Sequence, residues 1–175
     1  SLRIGHPEIL QALFVRFWEF CLLVLVARDL GAKGVSAIVG GCFLFYVGVL
    51  HFTDTKWFEP IVPPIMGYAS FWVLISGVAE ILVGLGLIIS GFEIIFDYGT
   101  YYRERAGVSS ALLLVLLYPA NLYMWIYDVE LGGGESLSPR GHIVRLLFQL
   151  GGIAVSLWIS GLSIESMKRG LKIEN

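Results

Sequence analysis

Charge is scarce in this sequence. Asp, Glu, Lys and Arg make up only 15% of its 175 residues, against about 25% in soluble domains. The charges nearly cancel, to a formal −2, and no basic cluster stands out, which argues against a nucleic-acid partner. Cysteine is almost absent. Cys21 and Cys42 both lie inside apolar stretches, match no metal or redox spacing, and are expected to pack as small buried hydrophobes. His6, His51 and His142 are far apart and joined by no cysteine, so no metal site is expected. Gly84-Leu85-Gly86 lies within an apolar run rather than after a strand, and Gly132 to Gly134 lack a following Lys-Ser/Thr, so neither is a phosphate loop. No Ser/His/Asp arrangement is evident, and no catalytic residue or cofactor is predicted. A secretory signal is missing too: the first apolar stretch carries Arg16 and Glu19, with no small-residue cleavage site after it. A start at Ser1 rather than Met fits processing, such as removal of a transit peptide, or truncation.

What the sequence has in abundance is long apolar runs. Hydrophobic residues reach 57% and mean hydropathy is +0.78. About 20 apolar residues cross a bilayer core, and only a helix satisfies its own backbone there. Four stretches meet that length: Val35 to Phe52, Phe71 to Ile89, Ala106 to Tyr127 and Ile143 to Leu162. The fold class is therefore all-α, an integral membrane four-helix bundle over residues 35–162. Residues 1–34 form an N-terminal extension and 163–175 a polar tail. Within the extension, Ile9 to Ala27 reads as a further hydrophobic helix. Arg16 and Glu19 sit three apart near its middle and could pair on one face. It is either a fifth span or an interfacial helix.

Connector chemistry marks the boundaries. Thr53 to Ser70 holds Pro60, Pro63 and Pro64, which disfavour a continuous helix and suggest an ordered re-entrant or surface loop. Phe92 to Arg105 runs acidic, aromatic, then basic, as a short interfacial helix would. Leu131 to His142 is glycine-rich and reads as a flexible connector. Trp57, Phe58, Trp72, Trp125 and Trp158 fall near span ends and suit an interfacial belt. Arg28, Lys33, Arg103, Arg105, Lys168, Arg169 and Lys172 fall on one side, against Arg3, Lys56 and Arg140. The positive-inside rule then places the C-terminus on the cytoplasm, matrix or stroma side. The expected location is a bacterial plasma membrane, or an organelle inner or thylakoid membrane.

Isolated polar residues within apolar spans are where function is sought. Here these are His51, Glu80, Asn121, Arg145 and Gln149. At roughly 1.5 Å per residue, all five fall in the same half of the membrane, on the proline-loop side. Ser76, Glu80 and Gly84 recur every four residues, with Gly77 beside them. Arg145, Gln149, Gly152, Ser156 and Ser160 share one face of the last span. Small residues mark close helix contact, so both stripes are expected to face the interior. Pro119, two residues before Asn121, leaves a carbonyl one turn earlier for a polar neighbour. Two readings follow. In one, Glu80 and Arg145 pair, directly or through Asn121 or Gln149, and pin the helices. In the other, Glu80 and His51 move protons or hold a quinone or lipid.

Several strings resemble the DoxX-like family of small multi-pass membrane proteins. They include Gly48-Val-Leu-His51-Phe52, Phe58-Glu-Pro-Ile-Val-Pro63-Pro64, the Ser76-Gly77-Val-Ala-Glu80 helix through Gly86, Arg105-Ala106, Tyr118-Pro119-Ala-Asn121 and Arg145-Leu-Leu-Phe-Gln149. The resemblance spans about residues 35–162 and implies a four-helix membrane bundle, with an association to quinone-linked oxidation. The leading functional expectation is a non-catalytic accessory or structural subunit of a larger, energy-transducing membrane complex. Its expected partners are membrane lipids and other membrane subunits. A quinone- or lipid-binding protein around Glu80 and Arg145, associated with an oxidoreductase, is the alternative.

Overall fold

The four apolar runs all fold as α-helices in the computed structural model, which describes residues 16, 30–99, 101–132 and 136–162. The helices are α1 (Leu30–Thr53), α3 (Ala69–Ile95), α4 (Tyr101–Ile126) and α5 (Pro139–Ser160), with a single turn, α2 (Thr55–Phe58), after the first. Each of the four is long and apolar enough to cross a membrane. Among the described residues there is no strand. The expected helix at Ile9 to Ala27, its Arg16–Glu19 pair, Cys21 and the tail at 163–175 lie outside the described residues, Arg16 excepted.

The connectors depart from expectation in instructive ways. No separate helix forms over Phe92 to Arg105. Instead α3 continues to Ile95 and α4 begins at Tyr101. Glu93 is responsible: its Oε2 accepts the backbone N–H groups of Tyr102 (3.0 Å) and Arg103 (3.1 Å). An acid at the end of one helix thus satisfies the orphan donors that open the next. The glycine-rich connector is also shorter than its composition suggests, because α5 already starts at Pro139. Ser138 caps it by accepting from the Gly141 N–H at 3.3 Å, and proline suits the first helical position. The proline segment is ordered: short 3₁₀ turns at Glu59–Ile61 and Pro64–Met66 follow α2.

Helix α1 packs chiefly on α3, α4 on α5, and α3 on α4. The α1–α3 contact is built on glycine at a spacing of seven. Gly34, Gly41 and Gly48 lie opposite Gly91, Gly84 and Gly77, so the helices run antiparallel. A Cβ placed on any of the six would fall within 2.5–3.0 Å of its partner's carbonyl oxygen. Only hydrogen fits there, and each glycine Cα–H points at the opposing carbonyl, a contact worth about 0.5–1 kcal/mol. The buried face of α3 is Val73, Gly77, Glu80, Gly84, Leu87, Ser90, Gly91 and Ile94. The stripe therefore runs through Gly77 and Gly84, while Ser76 sits beside it, half-buried, donating to the Val73 carbonyl at 2.9 Å.

The α4–α5 contact uses a different device. Gly107 lies against the Ser156 carbonyl and Ser160, and the Ser110 and Ser156 hydroxyls meet at 2.9 Å. Cys42 is exposed rather than buried, because the α1 face turned toward α3 is already taken by Gly34, Gly41 and Gly48.

Candidate functional site

The five polar residues singled out in the spans do not form one cluster. His51 and Glu80 face each other across α1 and α3, while Asn121, Arg145 and Gln149 join α4 to α5.

In the first group, Glu80 is 3% exposed and His51 6% exposed. Glu80 Oε2 lies 3.4 Å from His51 Nδ1, but has no hydrogen bond of its own. The reason is that His51 Nδ1 is within 2.8 Å of the Val47 carbonyl oxygen. A carbonyl only accepts, so Nδ1 carries the proton and donates it down the helix. Phe58 from α2 stacks on the imidazole, with ring centroids 4.0 Å apart. That aromatic is buried against His51 rather than sitting in a belt at the end of a span. Gly77 makes room for the pair, since a Cβ there would come within 2.7 Å of the His51 Cβ. The imidazole therefore meets both the Glu80 carboxyl and the Phe58 ring, at the end of the glycine register.

In the second group, Arg145 Nη2 donates to Asn121 Oδ1. Asn121 Nδ2 donates to Gln149 Oε1 at 2.5 Å, and Gln149 Nε2 donates to the Leu114 carbonyl. Each member gives a proton to the next, so this is a directed chain ending on backbone. Pro119 has no N–H for the Val115 carbonyl. The side-chain donor arrives one residue earlier, at Leu114. Arg145 and Glu80 do not pair, because Arg145 is committed to Asn121 on α4 while Glu80 looks at α1.

His142 belongs beside this chain. It is 3% exposed, stacks parallel on Trp125 with centroids 5.6 Å apart, and its Nε2 has no hydrogen-bond partner. With Tyr118, Asn121, Arg145 and Gln149 it lines a small gap of about 10 Å³, room for about one water molecule. His142 sits three residues before Arg145, hence on the same face of α5. That spacing was the signal in the sequence, hidden because a histidine in a glycine-rich connector reads as solvent-exposed.

Of the small residues, Gly77 and Gly84 carry the α1–α3 contact, and Ser156 meets Gly107 and Ser110 on α4. Gly152 faces Leu114, whose Cδ1 would lie 3.0 Å from a Cβ placed there.

A family model described as a domain of unknown function (DUF8561) matches residues 40–160. This match corrects the resemblance to the DoxX-like family. The Ser76-Gly77-x-x-Glu80 string reflects what a tightly packed span needs, a small residue at the contact and a buried polar group one turn on, and such a string is not specific to one family. No curated protein and no solved structure matches the chain.

Proposed function

Since this chain belongs to the DUF8561 family, a domain of unknown function, we propose from its own geometry that it is a non-catalytic, multi-pass membrane protein that packs as an accessory subunit beside other membrane proteins. One observation carries the reading. The polar residues singled out within the apolar runs sit at helix-pair contacts, His51 against Glu80 between α1 and α3 and Arg145–Asn121–Gln149 between α4 and α5. Polar groups used this way fix helix register and pairing in an apolar medium. The outward faces, by contrast, present large apolar side chains such as Leu82, Leu116, Ile126 and Leu150, which suits lipid or a neighbouring helix.

The orientation we favour puts Lys33, Arg103 and Arg105 on the cytoplasm, matrix or stroma side. The quinone reading asked for Glu80 and Arg145 around one cavity. Its support is weaker, because the two groups lie on different helix pairs and the gap beside Arg145 is about 10 Å³. The test is native purification from membranes, followed by identification of co-migrating chains. A stoichiometric membrane partner is expected. A stable monomer that binds a small molecule at either polar group overturns the proposal.

A further inference from the structure

Helices α1 and α5 touch at two places and part between them. At one end Lys33 lies over the Trp158 ring, 5.2 Å from its centroid. At the other, Phe43 meets Phe148 with centroids 6.2 Å apart. Between these contacts is a cleft of about 60 Å³, with Leu87 and Leu114 in its walls. It exists because Gly40 and Gly152 line it without side chains. Gly40 is the reverse of its neighbour Gly41: a Cβ on Gly40 would meet nothing within 4 Å.

The cleft offers an almost wholly apolar lining to an occupant. Its serine hydroxyls turn to partners within the protein, Ser36 donating to the Ala32 carbonyl at 2.6 Å and Ser110 meeting Ser156 at 2.9 Å. The occupant suited to this lining is hydrocarbon, since a polar group would lose its hydrogen bonds with water and find few in return. Beyond the end of the cleft bounded by Lys33 and Trp158 the character is the opposite. Arg103 lies against Gly161 at the end of α5, and its Nε is buried without a hydrogen bond. Lys33 is within electrostatic reach of it. Among the described residues neither cation has a carboxylate partner. From Lys33 to Phe43 is ten residues, roughly 15 Å along the helix, or half a hydrocarbon core of about 30 Å.

We propose that the α1–α5 cleft binds an anionic phospholipid, one acyl chain lying between Gly40 and Gly152 and the phosphate seated on Lys33 and Arg103. The apolar lining selects the tail, the two cations select the head, and the span between them matches one leaflet. The cationic end of the site, at Lys33 and Arg103, lies at the opposite end of α1 and α3 from His51. It requires the membrane placement proposed above but no partner subunit.

The experiment uses the full chain, purified in detergent with an equimolar mixture of phosphatidylglycerol and phosphatidylcholine of identical acyl chains. Retained lipid is read by native mass spectrometry. The expected result is retention of one lipid with phosphatidylglycerol preferred. K33Q lowers that preference about fivefold, the effect of one cation at an anionic lipid surface. G40L fills the cleft and removes both lipids; should it not fold, the smaller G40V takes its place. Equal retention of the two lipids, or retention unchanged in the cleft-filling variant, overturns the proposal. So does retention of none, which means that other parts of the chain or a partner cover the cleft. Failure of the chain to fractionate with membranes would instead sink the membrane placement itself, and so is distinguishable.

Discussion

Gly40 and Gly41 are adjacent, both in the middle of α1, and should respond to alanine with opposite sign. Replacing either with alanine gains the same helix propensity, about 0.5–1 kcal/mol, so that contribution cancels in the difference. At Gly40 the new methyl meets nothing within 4 Å, and G40A should be neutral or slightly stabilising. At Gly41 the methyl carbon would sit 2.5 Å from the Gly84 carbonyl oxygen and 2.9 Å from the Ile88 backbone nitrogen, where ordinary contact begins at 3.4 Å. These obstacles are backbone, so they cannot rotate away; α1 and α3 must separate by nearly an ångström. Overpacking of that kind costs about 1–3 kcal/mol. Separation also weakens the reciprocal Cα–H contacts of Gly41 and Gly84, at about 0.5–1 kcal/mol each. The expected difference between G41A and G40A is thus about 2–5 kcal/mol. Reversible unfolding in mixed micelles of rising SDS fraction, followed by helical circular dichroism, measures it. If the two variants unfold within about 0.5 kcal/mol of each other, the backbone contact at this glycine pair does not exist.

The polar groups yield further tests by the same assay. Q149L leaves the Leu114 carbonyl and the Asn121 amide without their partner, and should destabilise by about 1–3 kcal/mol. Across His51 and Glu80, a double-mutant cycle of H51F and E80L should return a coupling of at least about 0.5 kcal/mol; a value near zero means the 3.4 Å approach is energetically idle. E80L and R145M, by contrast, share no partner and should add within about 0.5 kcal/mol. Strong non-additivity there would restore a direct pairing of the carboxylate with the guanidinium.

The fold was legible because bilayer-length apolar runs admit few structures. The limits of the four spans were less so, since helix ends are set by single side chains rather than by hydropathy. Glu93 looks like part of a polar connector, yet it opens α4 by accepting two N–H groups from the far side of a turn. Ser138 and Pro139 do form a recognisable start signal, outweighed in the reading by the glycines before them. The most informative pattern in the sequence is Gly34, Gly41 and Gly48, then Gly77, Gly84 and Gly91, each set spaced seven apart. Ser76, Glu80 and Gly84 follow a spacing of four, but a pair of helices that cross at a shallow angle repeats its contact every seven residues.

The site is harder to read from sequence because sequence position gives depth along a helix, whereas azimuth decides which side chains meet. All five polar residues fall in the same half of the apolar runs, and depth alone suggests that they meet. Helix pairing separates them. The glycine register joins α1 to α3, turning Glu80 toward His51. On α5, Ser156 faces Ser110 of α4, and Gln149 and Arg145 lie one heptad and three turns further along the same face. They must therefore look at α4, where Asn121 waits. Once Ser156 is placed against α4, a Glu80–Arg145 pair would require α5 to turn away from its own serine contact. The close helix contacts, not the charges, choose the polar partners. In an apolar environment that order of causes is reasonable, because a backbone contact repeated along a helix fixes rotation, and side-chain hydrogen bonds then form with whatever it presents.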